Sequence, residues 1–353
     1  MIFRKQIWPL ILLGLVVSFL AGCAGTGGQR SKTLSRETTP APDFPLYNTS
    51  KILEKILPSV VHLNVLAFYQ VYEFNWESKV SQLDVHGKTF EQKAVAKSYI
   101  HRPSSGTATV IYNDNRKLAL ITCAHIVAFP DTVLQYFYDE NGARTAFLQR
   151  IWVKRKQENF LVGVAATEQL QILAIDVKTD LAVVGTPLLA HPVPLNVINL
   201  SPGRAADLKW GSFVYLIGFP KGFKMVIHGL ASHREYGKLH EFLVDAPFNR
   251  GFSGGLVLAV QDAGKQLEWV GLANSSAAEE EYDLSPADID KTGLSDVPIP
   301  YSGPVKISPR RRINYGITFG ISGELIRQFL AENQPSLEKA GFRREVFFQP
   351  RPE

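Results

Sequence analysis

The stretch Asn249-Arg250-Gly251-Phe252-Ser253-Gly254-Gly255 sets a serine among glycines, between the apolar runs 242–244 and 256–260. Glycine adopts backbone angles that other residues avoid, and it leaves room for a ligand to approach the chain. A serine at such a turn can stand exposed while backbone N–H groups surround it. The stretch therefore predicts a nucleophile on a turn, and a serine nucleophile needs a base and an acid from elsewhere in the chain.

Chain order separates two arrangements that present a serine in this way. In the nucleophile elbow of α/β-hydrolases, the acid and the histidine follow the serine along the chain. All eight histidines of this sequence precede Ser253, so the elbow is excluded. In the other order the histidine comes first, the acid second and the serine last. That order requires partners upstream, and suitable ones are present.

The best placed base is His125, which follows a strand-like run in residues 118–122. The best placed acid is Asp180, because it heads the apolar strand 181–184, which can bury it. Asp176 is the rival acid, but no apolar strand follows it. A carboxylate is needed here to fix the tautomer of the imidazole and to stabilise its protonated form.

Gly251 and Ser253 offer their backbone N–H groups as a candidate oxyanion hole. Cys123 is interpreted as a small buried hydrophobe, since a base two residues away on the same strand is poorly placed. The acidic run 279–291 lacks the ligand spacing of a calcium loop, and no metal or organic cofactor is predicted. Among the other histidines, His62 is interpreted as a core residue of its strand, and His86, His101 and His191 as surface residues. No strand-to-turn motif presents His228, His233 or His240, and lining of the cleft is only the minor alternative for them.

The chain resembles the trypsin-like (chymotrypsin-fold) serine proteases of the bacterial HtrA/Deg type over residues 50–330. The matching segments come in the expected order: 58–61, 106–107, 122–127, 180–184, 208–220, 244–255, 270–272 and 315–319. Leu256 and Arg250 stand where the family usually has proline. About thirty residues follow Phe319, too few for a PDZ domain, so control by a PDZ domain is not carried over.

The resemblance implies an all-β fold of two six-stranded antiparallel β-barrels, followed by a C-terminal helix. It places His125, Asp180 and Ser253 as a triad in the cleft between the barrels. It also places Pro247 at the floor of the pocket for the substrate side chain, with Phe248, Ile317 and Thr318 nearby. This pocket is predicted to be neutral and apolar, and Asp245 is interpreted as structural.

The domain boundaries follow from strand and turn signals. Short strands with regular turn signals favour barrels or sandwiches. The protease domain is predicted over 49–335, with barrels at about 58–186 and 207–320 and a tail at 336–353. Residues 68–104 are interpreted as an insertion, and 278–311 as a long loop without a packing pattern. Ser322 is the expected cap of a helix over 323–333.

The N-terminus predicts export and anchoring. Residues 1–22 combine Arg4 and Lys5 with an apolar run, which is typical of a secretory signal. Leu20-Ala21-Gly22-Cys23 resembles the lipobox of bacterial lipoproteins, in which the cysteine is lipidated. Residues 23–48 would then form a flexible tether. Two or more acyl chains give stable anchoring, so the expected location is the cell envelope, on the periplasmic side, with the outer membrane as the default in a Gram-negative cell.

Composition limits the remaining partners. Removing residues 1–22 lowers the formal net charge from +5 to +3, which is too weak to indicate nucleic acid. With Cys23 lipidated, Cys123 is the only thiol left, and an internal disulfide is excluded. The predicted function is a serine endopeptidase acting on proteins or peptides. The alternative is a lipoprotein of the same fold that acts as a binding or scaffolding module with a vestigial triad. The oligomeric state is left open.

Overall fold

Antiparallel strands form two sheets in the computed structural model, which describes residues 44–164, 169–236, 241–286, 303 and 305–342. These residues all belong to one unit, Ala41–Glu353. The strands of the first sheet are β1 Val60–Glu73, β2 Ala96–Asn113, β3 Leu118–Cys123, β4 Thr132–Tyr138, β5 Arg144–Leu161, β6 Gln171–Asp176 and β7 Leu181–Thr186. Those of the second are β8 Phe213–Gly218, β9 Met225–Tyr236, β10 Glu241–Val244, β11 Gly255–Gln261, β12 Gln266–Pro286 and β13 Val305–Ser322.

The predicted all-β, two-barrel class is confirmed, with one difference in the first half. The second sheet is a closed six-stranded barrel in the order β10-β13-β12-β11-β8-β9. The first has seven strands in the order β4-β5-β1-β2-β3-β7-β6, where six in a closed barrel were expected. β4 pairs with the outer part of β5, whose residues 150–153 pair on their other edge with residues 70–73 of β1.

The insertion predicted at 68–104 consists largely of the outer parts of β1 and β2. Between them lie the short helices α1 Gln82–His86 and α2 Phe90–Lys93. They cover a small separate core made of Tyr72, Phe74, Val80, Phe90, Leu148 and Ile151. This satellite core supports the extension independently of the main core, which lies between the two sheets.

The interpretation of 278–311 as a loop is wrong for its described residues. Residues 278–286 and 305–313 continue β12 and β13 as a two-stranded ribbon. The acidic run meets the basic run in register, with Glu279, Glu280 and Glu281 opposite Arg312, Arg311 and Arg310. Opposite charges on facing strands favour this pairing, and Arg312 donates to Glu281 at 3.0 Å. The rest of the predicted loop lies outside the described residues.

Both ends of the described chain pack onto the sheets. A helix over Gly323–Glu332 is capped by Ser322, whose Oγ accepts the N–H of Leu325 at 3.2 Å, as predicted. A further helix, Gln334–Lys339, leads to Phe342, which is buried against Tyr112. Residues 336–342 of the segment predicted as a tail (336–353) are therefore part of the packed structure.

The N-terminal end of the described chain also touches the barrel. Leu46 and Tyr47 donate their N–H groups to the carbonyl of Ala263 at 2.9 and 3.1 Å, although both lie in the predicted tether. Residues 23–43 of that tether lie outside the described residues. A short helix covers Ser50–Ile56. Across the described ranges, no helix is both long and apolar enough to cross a membrane.

Candidate active site

His125 and Asp180 are held together by two hydrogen bonds. The buried strand β3 ends at Cys123, and a single helical turn, Ala124–Val127, carries His125. Asp180 Oδ2 accepts from the ring Nδ1 of His125 at 2.6 Å, and Oδ1 accepts from its backbone N–H at 2.7 Å. A carboxylate can only accept, so the proton lies on Nδ1 and Nε2 is left as the basic atom.

The backbone of Asp180 is unusual, with a φ of +55°. Aspartate is one of the few residues that tolerate this left-handed region, at some cost in strain. Its own carbonyl accepts the N–H of Ala124 at 2.9 Å, which ties the acid to the turn that carries the histidine. Asp176, the rival acid, is used elsewhere: it accepts from the N–H of Lys178 and the hydroxyl of Thr179, at 2.8 and 2.9 Å.

Ser253 lies on the turn before β11, as predicted, and its hydroxyl has an acceptor that the sequence did not suggest. Ser253 Oγ donates to the carbonyl of Asn274, in β12, at 3.0 Å. Within the described part of the chain, no hydrogen bond joins Ser253 to His125. Because the acceptor is a backbone oxygen, no side-chain signal in the sequence could have identified Asn274.

Two glycines of the turn are required by its geometry. Gly251 has a φ of +108° and Gly254 a φ of +76°. A Cβ on Gly251 would lie 2.2 Å from the carbonyl oxygen of Phe219, and one on Gly254 would lie 2.2 Å from that of Thr107. Both positions therefore exclude any side chain.

The candidate oxyanion donors are the N–H groups of Gly251 and Ser253. The carbonyl of the preceding residue is bonded in each case: Arg250 O accepts from Lys221 N at 3.2 Å, and Phe252 O accepts from the N–H of Gly255 at 2.7 Å. In a trans peptide the N–H points away from the carbonyl. Neither N–H donates to another described group, as an oxyanion hole requires.

Residues 106–271 match the family model of the trypsin-like peptidase domain. Over these residues the chain is similar to trypsin-like peptidase domains. The resemblance to HtrA/Deg proteases inferred from the motifs is confirmed by this match and by the relatives that follow.

Two relatives of this peptidase domain are zebrafish (Danio rerio) proteins. Serine protease HTRA1B is 25% identical over 282 residues, covering 80% of this chain and 40% of the relative. Serine protease HTRA1A is 26% identical over 288 residues, covering 82% and 42%. The chain thus spans about two fifths of the length of these relatives.

The chain is also similar to solved structures. One is the HtrA-type protease AlgW with tripeptide, which has 17% sequence identity and a TM-score of 0.39; the match covers 84% of this chain and 65% of that one. The serine endoprotease from Yersinia pestis has 15% identity and a TM-score of 0.39, covering 81% and 66%.

The four predicted pocket residues of the peptidase domain divide into two groups. Pro247 and Ile317 are exposed. Phe248 and Thr318 are buried, and Thr318 Oγ1 donates to the carbonyl of Ala246 at 2.8 Å. Neighbouring residues of an extended chain face opposite sides, which explains why each pair divides. Pro247 and Ile317 are the two that can present a side chain to a ligand.

Cys123 lies directly beneath the pair of His125 and Asp180. Its Sγ, a ring nitrogen of His125 and a carboxylate oxygen of Asp180 lie within 4.8 Å of one another. Burial, and then the charge of Asp180, raise the pKa of the Cys123 thiol well above its usual range. A protonated thiol is a poor metal ligand, and Nδ1 is already bonded to the acid. These residues therefore do not fit a metal site.

A second carboxyl lies within electrostatic reach of Asp180. Glu241, at the start of β10, is partly buried. Burial, and then the negative charge of Asp180, raise the pKa of Glu241. The sequence offered no signal for this residue, because its proximity to Asp180 depends on how the two sheets meet.

Proposed function

We propose that the protein is a serine endopeptidase that uses His125 as base, Asp180 as the orienting acid and Ser253 as nucleophile. The observation that supports this proposal best is the two-point contact between Asp180 and His125, at 2.6 and 2.7 Å. It sets both the tautomer and the position of the ring, which are the two tasks of the acid in such a triad. The trypsin-like peptidase match gives the reaction class.

Peptide hydrolysis on these residues takes two half-reactions. His125 Nε2 accepts the proton of Ser253 Oγ while the oxygen attacks the carbonyl carbon of the substrate. The oxyanion formed accepts hydrogen bonds from the N–H groups of Gly251 and Ser253, each worth about 2.7–4 kcal/mol in such sites. His125 then gives its proton to the leaving amine. Water, activated by the same histidine, releases the acid product and restores Ser253.

A fluorophosphonate probe tests the enzyme against the alternative of a binding module with a vestigial triad. The probe phosphonylates a serine, with loss of fluoride, only where a base and oxyanion donors activate it. We expect wild-type protein to be labelled and Ser253→Ala to remain unlabelled. Labelling that persists in Ser253→Ala would refute Ser253 as the nucleophile, and absence of labelling in both proteins would favour the binding module.

We further propose that the peptidase is anchored in a bacterial envelope by lipid on Cys23, with proteins or peptides as its substrates. The support is the Leu20-Ala21-Gly22-Cys23 sequence after an apolar run. Mass spectrometry of the membrane-bound protein should find an acylated Cys23 at the N-terminus. Cys23→Ser should move the protein to the soluble fraction, and a variant that stays on membranes would contradict the anchor.

A further inference from the structure

We propose that Thr107 is the positioning residue of the nucleophile loop, defined as residues 249–255. This inference rests on the proposed function, and it concerns a side chain that does not touch substrate. Thr107 lies on β2, in the first sheet, whereas the loop belongs to the second. Its side chain is fully buried at the junction of the two.

The orientation of the Thr107 hydroxyl is fixed by its two partners. It accepts the backbone N–H of Phe219 at 2.9 Å and donates to the carbonyl of Gly251 at 2.6 Å. An amide N–H can only donate, so the hydroxyl must accept there, and its single proton is left for Gly251. Any rotation of this hydroxyl breaks a buried hydrogen bond.

The backbone of Thr107 holds the loop at a second point. Its N–H donates to the carbonyl of Ser253 at 2.8 Å. Its carbonyl accepts from Thr122 Oγ1 at 2.7 Å, which ties the residue to the strand that leads to His125. One residue thus contacts two carbonyls of the loop and the strand of the base.

The two anchored carbonyls stand on either side of the donor that matters for catalysis. Gly251 O belongs to the peptide before Phe252, and Ser253 O to the peptide after Ser253. Between them lies the peptide that carries the Ser253 N–H, a proposed oxyanion donor. Rotation of this peptide would turn the donor away from the oxyanion, and the anchors restrain it. Donor orientation is worth most when it is fixed before the reaction begins.

Replacement of the hydroxyl should therefore impair the transition state more than substrate binding. Outright removal of one oxyanion donor costs about 10²–10³-fold in kcat. For Thr107→Val, where the donor remains but is less restrained, we expect kcat to fall about tenfold to a hundredfold. KM should change little, because the lost interaction acts only in the transition state.

The chain offers a matched control two residues away. Thr109 lies on the same strand and is also fully buried, and its Oγ1 has no hydrogen-bond partner in the described structure. Thr109→Val removes a hydroxyl of the same kind that contacts nothing polar. Thr107→Ser is the rescue variant, since it keeps the hydroxyl and removes only a methyl group.

The experiment measures kcat and KM on a peptide substrate and the Ki of a peptide aldehyde, whose hemiacetal oxygen would use the same donors. In Thr107→Val we expect kcat to fall and the aldehyde Ki to rise by similar factors. Thr107→Ser should recover most of both, and Thr109→Val should match the wild type. If Thr107→Val does not fold, Thr107→Ala is compared with Thr107→Ser. Both side chains are smaller than threonine, and only the serine keeps the hydroxyl.

Two outcomes would overturn the positioning role while leaving the proposed function intact. One is an active wild type with kcat and Ki unchanged in Thr107→Val. The other is a Thr107→Ser variant as impaired as Thr107→Val, which would assign the effect to packing. A wild type that neither hydrolyses peptides nor reacts with a fluorophosphonate would refute the proposed function, and the positioning role with it.

Discussion

Ser253 donates its hydroxyl proton to the carbonyl of Asn274, at 3.0 Å, while His125 is already bonded to Asp180. In the proposed mechanism, the base and the acid are therefore joined before the nucleophile engages them. Hydrogen bonds of catalytic groups often tighten only when substrate binds. The first proposed step requires the Ser253 hydroxyl to exchange the carbonyl of Asn274 for His125 Nε2 as its acceptor.

Alanine variants of the proposed triad should be strongly non-additive. We expect His125→Ala, Asp180→Ala and Ser253→Ala each to reduce kcat by about 10⁴-fold or more, and the triple variant to be little worse than Ser253→Ala. Asp176→Ala is the control, because its carboxylate bonds only within its own turn. Peptide hydrolysis rates measure all five proteins. If Asp176→Ala were inactive and Asp180→Ala active, the acid would be misassigned.

Substitution of Gly251 should abolish activity and lower stability. Its φ of +108° disfavours any side chain, and a Cβ would lie 2.2 Å from Phe219 O. Gly142→Ala is the matched control, since Gly142 also has a positive φ, of +75°, but has nothing within 4 Å of an added Cβ. The control should cost only about 1–2 kcal/mol of unfolding free energy. Urea unfolding and peptide hydrolysis measure both, and equal losses in the two variants would contradict the close contact at Gly251.

Cleavage should favour small to medium aliphatic residues on the acyl side of the scissile bond. Pro247 and Ile317, the exposed pair of the predicted pocket, carry no charge. A methylene more or less changes selectivity only about 10–200-fold in apolar pockets. A peptide library would measure the preference, and selection of Lys or Arg would overturn the pocket. Asp245→Asn then tests the counter-charge, although Asp245 Oδ1 already accepts the N–H of Leu230 at 2.5 Å.

Asp84, in the helix that covers the satellite core, should stabilise the fold in a pH-dependent way. The hydrogen bond from Lys93, followed by that from the N–H of Ser81, lowers the pKa of Asp84 from 3.8 to about 2. A lowered carboxyl pKa adds stability above pH 4 that is lost as the pH falls toward 2. Allowing for the exposure of Lys93, Asp84→Asn should cost about 1 kcal/mol at pH 7.

The difference between wild type and Asp84→Asn should narrow to about half at pH 3, measured by urea unfolding. Asp207→Asn is the control, because the ion pair of Asp207 with Arg204 is exposed on both sides. Its cost should stay within about 0.5 kcal/mol at pH 7. A cost for Asp84→Asn that is the same at pH 7 and pH 3 would show that charge is not the cause.

The sequence predicts the parts of the protein in which chemistry or packing constrains single residues. The order of His125, Asp180 and Ser253 and the cap at Ser322 were predicted this way. The ribbon at the ends of β12 and β13 was not, because both of its faces meet solvent and the alternation of apolar and polar residues disappears. Tyr282 and Leu284 in this ribbon are exposed by 67% and 72%. In the ribbon, the signal was the acidic run facing the basic run.

Thr107 and Gly251 are 144 positions apart in the chain, and this separation determines when the nucleophile loop can first be anchored. During synthesis the chain contains residues 107 and 125 long before residue 253 exists. Contacts across such separations also form slowly, because loop closure must come first. In the proposed mechanism, a chain that is still being synthesised therefore holds His125 and Asp180 but no anchored Ser253. The proposed peptide hydrolysis requires both sheets to be complete.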